Sequence, residues 1–100
     1  AMLEDGGGVL KPELARLMIA NQNEGLNLPW GLGWKIGEGT FFERSPAGLF
    51  GHSGSTGTLC WADPARKLVF VLFTNRPADE DKGQFLKTVA RMVSEVVPGR

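Results

Sequence analysis

The sequence predicts an α+β fold, in which an antiparallel sheet of about four to five strands carries an N-terminal and a C-terminal helix. Three observations lead to this prediction. Apolar residues recur with helical periodicity near both ends of the chain, short apolar segments fill the middle, and the turns between these segments suit hairpins. A chain of 100 residues allows one domain, so residues 1–100 are expected to form a single unit.

The first helix is predicted at about residues 12–21, after a glycine-rich loop over residues 1–9. Pro12 suits the first turn of a helix, because proline lacks the N–H that a first turn leaves unpaired anyway. One apolar helix face follows from the spacing of four residues, namely Leu10, Leu14, Leu17 and Met18.

Four segments in the middle of the chain are predicted to be extended, at residues 32–36, 40–44, 49–54 and 57–62. In the first of them, Leu32, Trp34 and Ile36 alternate with less apolar residues, which is the periodicity of a strand. After the last, Asp63-Pro64 suits the first two positions of a type I turn.

Residues 68–73 carry the strongest strand pattern in the chain. Their apolar run is continuous, which predicts a central strand covered on both faces. The second helix should follow the acidic segment 79–81, because carboxylates stabilise a helix N-terminus, although this cluster could also bind a cation. Its apolar residues are Phe85, Val89, Met92, Val93, Val96 and Val97, and Pro98-Gly99 ends it.

Composition narrows the function classes. The formal net charge is zero, which gives no indication of a nucleic-acid partner or of an anionic membrane. No apolar run reaches the roughly 18 residues of a membrane span, and the N-terminus shows no signal-peptide pattern. With one Cys and one His, neither a disulfide nor a Cys- or His-rich metal site is expected. Gly31-x-Gly33 has Ile36 where a dinucleotide motif needs glycine, so no cofactor is expected.

The most informative segment is residues 50–58, where small residues surround the single histidine, His52. Small residues let a ligand approach the backbone closely, so a substrate could bind the main chain here. The alternative is a glycine-rich bend with a solvated histidine. The segment departs from the Gly-x-Ser-x-Gly elbow at Ser55, and the residues that follow predict a strand instead of a helix.

Several other side chains have two interpretations. Cys60 lies in an apolar run and is expected to be a small buried core residue, not a reactive thiol. Trp34 and Trp61 could line an apolar cleft, but Trp34 at an alternating position is expected in the core. Trp30, between proline and glycine in a loop, remains open between packing and ligand binding.

The order of these segments is very similar to the C-terminal part of the class C β-lactamase-related serine hydrolases. This family includes β-lactamases, D-Ala-D-Ala peptidases, D-aminopeptidases and carboxylesterases. The resemblance covers about residues 10–97 and rests on LARLM at 14–18, WGLGW at 30–34, FGHSGSTGT at 50–58, WADP at 61–64 and the strand from Leu68 to Asn75-Arg76. It implies a partial β-lactamase-like fold, as one C-terminal subdomain of a larger domain.

Members of this family combine a Ser-x-x-Lys helix, a Tyr-x-Asn or Ser-x-Asn loop and a third motif on a strand. The resemblance assigns the third motif to His52-Ser53-Gly54 and substrate binding to residues 52–55. It implies that the backbone N–H of Ser55 is an oxyanion-hole donor, which is worth about 3 kcal/mol in the transition state. His52 would lie near the substrate carboxylate or the leaving group.

The chain also departs from the family pattern. It has no Ser-x-x-Lys and no tyrosine, so acyl transfer has no nucleophile and the chain alone is expected to be inactive. We expect a fragment of a serine hydrolase for amides, esters or β-lactams, and its Ala1-Met2 start agrees with an internal segment. The expected partner is the N-terminal part carrying the other motifs, with self-association through an exposed sheet edge as a further expectation.

The alternative hypothesis is a binding or structural module that keeps the fold without catalysis. The cleft beside residues 52–54 could then hold a peptide without any chemistry. The sequence does not decide the substrate, nor a periplasmic or envelope location against a cytoplasmic one.

Overall fold

Four antiparallel strands and two α-helices occur in the described part of the chain, which comprises residues 2–23, 30–75, 77, 81 and 83–97 of a computed structural model. The strands lie side by side in chain order, β1-β2-β3-β4. The elements are a 3₁₀ helix at Met2–Glu4, α1 at Pro12–Ile19, β1 at Lys35–Ile36, β2 at Phe50–Gly54, β3 at Thr58–Asp63, β4 at Leu68–Phe73 and α2 at Gln84–Val96. The predicted α+β class is confirmed.

The larger apolar core lies between the sheet and α2. Side chains alternate between the two faces of a strand, so Leu59 and Trp61 of β3 point to the same side as Phe70 of β4. Trp61 stacks on Phe70 with ring centroids 5.1 Å apart. Each apolar side chain buried here stabilises the fold by about 1.5–3 kcal/mol. The core also contains Phe41, Phe42, Leu49, Leu86 and Ala90.

A smaller cluster covers only part of the opposite face of the sheet. Ile36, Phe50 and Ala62 form it, with Met2, Leu3, Ile19 and Trp34 packed against them. These contacts cover β1, β2 and the adjoining end of β3. Further across the sheet, the same face of β4 remains open, as the exposures of Val69 (58%), Val71 (51%) and Phe73 (81%) demonstrate.

The predicted central position of residues 68–73 is wrong, although their strand bounds are confirmed. Among the described residues, β4 is the last strand of the sheet, and β3 is its neighbour on one side. Only the side chains at alternate positions of β4 face α2. A continuous apolar run therefore marks this strand without indicating that both of its faces are covered.

The strand predicted at residues 40–44 is also wrong. The chain folds back on itself there, because the Phe41 N–H donates to Ser45 Oγ at 3.3 Å and the Gly39 N–H donates to the Ser45 carbonyl at 2.9 Å. Arg44 has a left-handed backbone (φ 61°), which ends any extended run. The loop buries Phe41 and Phe42 in the core, so their apolar pattern reflects burial without strand pairing.

The strand predicted at residues 32–36 is confirmed only at Lys35–Ile36. Upstream of it, the Leu32 N–H donates to the Met18 carbonyl at 2.7 Å, so this stretch follows the end of α1 instead of the sheet. A side chain at Gly31 would overlap the Met18 carbonyl, which explains the glycine. α1 itself ends at Ile19, two residues before the predicted end, and Ala20 is extended.

The C-terminal helix is confirmed, and its buried face agrees with the predicted one only in part. Val89 and Val93 pack against the core as expected, and Leu86 and Ala90 are its buried residues. Phe85, Met92 and Val96, which were expected on the same face, are exposed. Of the acidic segment at its start, Asp81 accepts a hydrogen bond from the Phe85 N–H at 3.0 Å through Oδ2. Asp79 and Glu80 lie outside the described residues.

Arg66, in the turn between β3 and β4, holds the C-terminal end of α2. Its Nε lies 2.6 Å from Asp63 Oδ2, and the two side chains are 14% and 5% exposed. Its guanidinium also donates to the Ser94 carbonyl (2.8 Å), Ser94 Oγ (2.7 Å) and the Val97 carbonyl (3.3 Å). A cation at this end of a helix interacts favourably with the helix dipole and pairs carbonyls that the helix itself leaves free.

None of the helices in the described ranges is both long enough and apolar enough to cross a membrane.

Candidate functional site

The candidate site lies at the C-terminal end of β2 and in the turn that follows it. His52, Ser53 and Gly54 are extended and pair with Cys60, Leu59 and Thr58 of β3. Ser55 begins the turn. The side chains of residues 52, 53 and 55 are exposed, and Gly54 is half-buried.

On its other side, β2 is only half covered. β1 pairs Ile36 with Phe50 and Lys35 with Gly51, and the pairing stops there. Beyond it the chain bends away, with the Gly31 N–H donating to the Trp34 carbonyl at 2.8 Å. Within the described residues, no strand pairs with residues 52–54 on this side, which leaves an open edge.

The hydrogen-bond pattern of the sheet can be read from one bond next to the β3–β4 ladder. The Thr74 N–H donates to the Gly57 carbonyl at 2.9 Å, just outside the pair formed by Thr58 and Phe73. In an antiparallel ladder this places Thr58 and Phe73 in a non-hydrogen-bonded pair. Alternate residues of β3, starting with Leu59, therefore bond to β4, and those starting with Thr58 bond to β2.

The same alternation fixes the direction of the backbone in β2. His52 and Gly54 lie opposite Cys60 and Thr58, so their N–H and C=O groups point into the sheet. Ser53, between them, directs both of its backbone polar groups at the open edge. Ser53 is therefore the residue of β2 at which an added strand would bond.

The His52 imidazole lies over this edge. Its Nδ1 is 2.6 Å from the Ser53 carbonyl oxygen. A carbonyl only accepts, so Nδ1 carries the hydrogen, and in the neutral ring Nε2 is left as an acceptor. The Trp30 ring packs against the imidazole, with ring centroids 5.3 Å apart and planes inclined by 59°. Trp30 thus limits the positions that the His52 ring can take.

Two glycines of β2 are explained by close contacts. A Cβ at Gly51 would overlap the Cys60 carbonyl and the Cα of Trp61, so this position excludes any side chain. A Cβ at Gly54 would meet Thr58 Oγ1 on the opposing strand. The glycine at position 54 therefore makes room for its own hairpin partner, in addition to any access it gives to a ligand.

The turn after β2 borders a hollow. The Gly57 N–H donates to the Gly54 carbonyl at 3.2 Å, and Gly57 has a φ of 107° that favours glycine. Thr74 Oγ1 donates to the Gly57 carbonyl at 2.6 Å, which fixes the turn against the end of β4. The hollow, of about 650 Å³, is lined by Ser55, Thr56, Thr74, Asn75 and Pro77.

Comparison with protein families gives one match. A family model described as Beta-lactamase matches residues 3–93, which is most of the chain. The chain belongs to the beta-lactamase family. Comparison with curated proteins and with solved structures gave no match.

Within this beta-lactamase family domain, one strand and its turn bring together all the residues that the sequence indicated, His52, Ser53, Gly54 and Ser55. Trp30, which the sequence left open, lies against His52 and belongs to the same surface. The sequence analysis missed Thr74, whose hydroxyl anchors the site turn. Its position directly after an apolar strand was the only available signal.

The remaining sequence candidates lie away from this edge. Trp34 packs edge-on against Phe50 at 5.2 Å, which confirms its predicted core role. Trp61 is buried, and its Nε1 has no hydrogen-bond partner within the described residues. Cys60 is a free thiol that is half-buried, so its predicted burial is only partial. The part of the chain that the structure describes contains no group of three or more His, Cys, Asp or Glu side chains that could hold a metal ion.

Proposed function

We propose that this chain forms one wall of the active site in a β-lactamase-related serine hydrolase, as the C-terminal part of an enzyme of the class C-related branch. The reaction is hydrolysis of an amide, an ester or a β-lactam through an acyl-enzyme. The observation that carries the proposal is the open edge of β2 at residues 52–54, in a domain of the beta-lactamase family.

The edge supports binding of an extended substrate. Ser53 directs its N–H and C=O outward, so a substrate amide can add to β2 in the manner of another strand. The next residue at the same alternate position along the chain is Ser55, at the start of the turn. There it would donate to the developing oxyanion, together with the N–H of the nucleophile.

His52 has a second role in the proposal. Its Nδ1–H is engaged by the Ser53 carbonyl, so Nε2 is the atom available to a ligand. The Ser53 oxygen has a second lone pair, which an incoming substrate N–H can use without displacing the imidazole. Nε2–H of the protonated ring would donate to the substrate carboxylate, whereas Nε2 of the neutral ring would accept from the leaving group, and the Trp30 ring lies against the imidazole in either case.

The nucleophile has to come from another polypeptide segment. The sequence contains neither Ser-x-x-Lys nor any tyrosine, so two of the family's motifs are missing from these 100 residues. The partner in the proposal is therefore the segment that carries these motifs. Without it, the chain can bind a substrate along β2 but has no activated hydroxyl to acylate.

Amide NMR of the chain tests the binding edge. On addition of acetyl-D-Ala-D-Ala, we expect shifts of the Ser53 and Ser55 amides that exceed those of His52 and Gly54, whose N–H groups bond to β3. Ser53→Pro removes the outward N–H at a position where an edge strand tolerates proline, and it should abolish the shifts. Ser53→Ala keeps the N–H and should bind as the unmodified chain does.

Equal binding by Ser53→Pro, or shifts confined to a different face of the sheet, would contradict the proposed edge. The measurement does not depend on catalysis, so it applies to the chain as it is.

A second candidate function is a binding or structural module without catalysis, and the missing Ser-x-x-Lys motif and the lack of tyrosine favour it.

Both candidates predict that the chain leaves nitrocefin and p-nitrophenyl acetate intact and acquires no acyl mass. Turnover that persists in Ser53→Ala and Ser55→Ala would contradict both. A Ser-x-x-Lys motif upstream in the natural reading frame would decide for the hydrolase, whereas a natural gene ending at both termini of this chain would favour the module.

A further inference from the structure

The segment that follows α1 holds the main chain of Trp30. The Trp30 carbonyl accepts two hydrogen bonds, from the Gln22 N–H at 3.1 Å and from Asn23 Nδ2 at 3.1 Å. Because a carbonyl only accepts, the Asn23 amide presents its NH₂ group to Trp30. Asn23 is half-buried, and its own N–H donates to Asn21 Oδ1 at 2.8 Å, which fixes the residue in a local turn.

The residues after Trp30 are attached as well. A Cβ at Gly31 would overlap the Met18 carbonyl, so the chain passes directly against the end of α1. Trp30 also forms an isolated antiparallel bridge with Lys35, at the start of β1. Trp30 is therefore held between the end of α1 and the sheet, and Asn23 contributes a side-chain donor to this attachment.

The Trp30 ring in turn lies against the single histidine of the chain. The ring centroids of Trp30 and His52 are 5.3 Å apart, and the His52 side chain is otherwise exposed. An exposed imidazole can occupy several staggered rotamers, and the 2.6 Å contact of Nδ1 with the Ser53 carbonyl requires a particular one. A half-buried indole beside the imidazole excludes the settings that would pass through its own volume.

We propose that Asn23 is a positioning residue for His52 and acts through Trp30. Asn23 fixes the main chain of Trp30, and the Trp30 ring limits the imidazole to the setting in which Nδ1–H meets the Ser53 carbonyl. Nε2 then faces the substrate edge. The use of Nε2 rests on the proposed function, whereas the setting of the ring can be measured without a substrate.

The chemistry of Asn23 is specific to this contact. Aspartate has the same shape but no donor, and its carboxylate would face the Trp30 carbonyl as a second acceptor. The neighbouring Gln22 side chain donates instead to the Leu17 carbonyl at 2.8 Å, within the end of α1. Gln22 bonds Trp30 through its backbone N–H, which a substitution by alanine retains.

Nitrogen NMR of the imidazole tests the positioning, and the single histidine makes its signals unambiguous. In alkaline buffer, where the ring is neutral, Nδ1 should show the shift of a protonated nitrogen and Nε2 that of an unprotonated one. Asn23→Asp and the uncharged Asn23→Ala should move the two signals toward each other, because both tautomers become populated. Gln22→Ala is the matched control and should leave both signals unchanged.

Variants of Trp30 test the second step. Trp30→Ala should move the two nitrogen signals further than either Asn23 variant does, and Trp30→Phe, which keeps an aromatic ring beside the imidazole, should largely restore them. Unchanged nitrogen signals in Trp30→Ala and in the Asn23 variants would overturn the proposal. A change in Trp30→Ala with none in either Asn23 variant would overturn the role of Asn23.

Substrate binding separates this inference from the proposed function. The dissociation constant for acetyl-D-Ala-D-Ala should rise about threefold in Asn23→Ala, because only part of the population then presents Nε2 to the ligand. If the unmodified chain does not bind the dipeptide but the nitrogen signals respond as expected, the proposed function is wrong and the positioning of His52 stands. If the dipeptide binds and the nitrogen signals do not respond, the positioning is wrong and the binding edge stands.

Discussion

The two open edges of this sheet differ in what flanks their outward backbone groups. At the β2 edge, Ser53 offers one outward N–H and C=O between two residues whose side chains are a histidine and a hydrogen. At the β4 edge, the outward groups belong to Val69, Val71 and Phe73. The same ladder geometry therefore gives a short polar edge suited to a small ligand and a longer apolar edge suited to another strand.

β2 and β4 also differ in the side chains that they can accommodate. β2 passes so close to β3 at Gly51 that a Cβ would overlap the backbone. β4 carries branched and aromatic side chains along its whole length. The glycines of β2 are thus required by its close approach to β3, and they have few substitutes.

Gly51→Val is expected to have the largest effect on stability. Its Cβ would overlap the Cys60 carbonyl and the Trp61 Cα, and the strands must separate to accommodate it. We expect a loss of about 3 kcal/mol in the free energy of unfolding, measured by urea denaturation.

Ser53→Val is the matched control for that substitution. It lies on the same strand, its side chain is exposed, and valine favours extended backbone, so stability should change by less than about 0.5 kcal/mol. If both substitutions had the same effect, the close approach of β2 to β3 at Gly51 would not explain this glycine.

Gly54→Ala should lower the free energy of unfolding less than Gly51→Val does. The size of its effect should depend on the side chain at position 58. The new methyl group meets Thr58 Oγ1, a side-chain atom that can rotate away, so we expect a loss of about 1 kcal/mol. Thr58→Ala removes the contact and should recover at least half of that loss in the double variant. Thr58→Val keeps an atom at the same place and should recover none. Additive effects in all the variants would show that Gly54 is required for a reason other than its hairpin partner.

The sheet could be predicted from sequence because its signals are local. The continuous apolar run of β4 and the turn residues around β2 and β3 gave the bounds of these three strands to within one residue. The loop at 40–44 could not be predicted in the same way. Its shape depends on Ser45 bonding to Phe41 and on burial against Trp61, and neither contact leaves a periodic pattern. The order of strands was equally hidden, since an apolar run is the same in the centre of a sheet and at its edge.

For the candidate site, the sequence and its family resemblance indicated His52, Ser53, Gly54 and Ser55 without their orientation. The direction of the Ser53 backbone follows only from the register with β3 and from the early end of β1. The contact between Trp30 and His52 joins residues 22 positions apart and depends on the loop that α1 positions. Such long-range contacts have no counterpart in residue spacing.

Arg66 joins the β3–β4 hairpin to the C-terminal end of α2, on the two sides of the larger core. Its guanidinium bonds residues 28 and 31 positions further along the chain, so the last turn of α2 cannot fray while those bonds persist. Release of that helix end would leave the partly buried Arg66 guanidinium without its three acceptors at residues 94 and 97. Amide protons in the last turn of α2 and in the β3–β4 hairpin should therefore exchange with solvent through a shared opening event, later than those of α1.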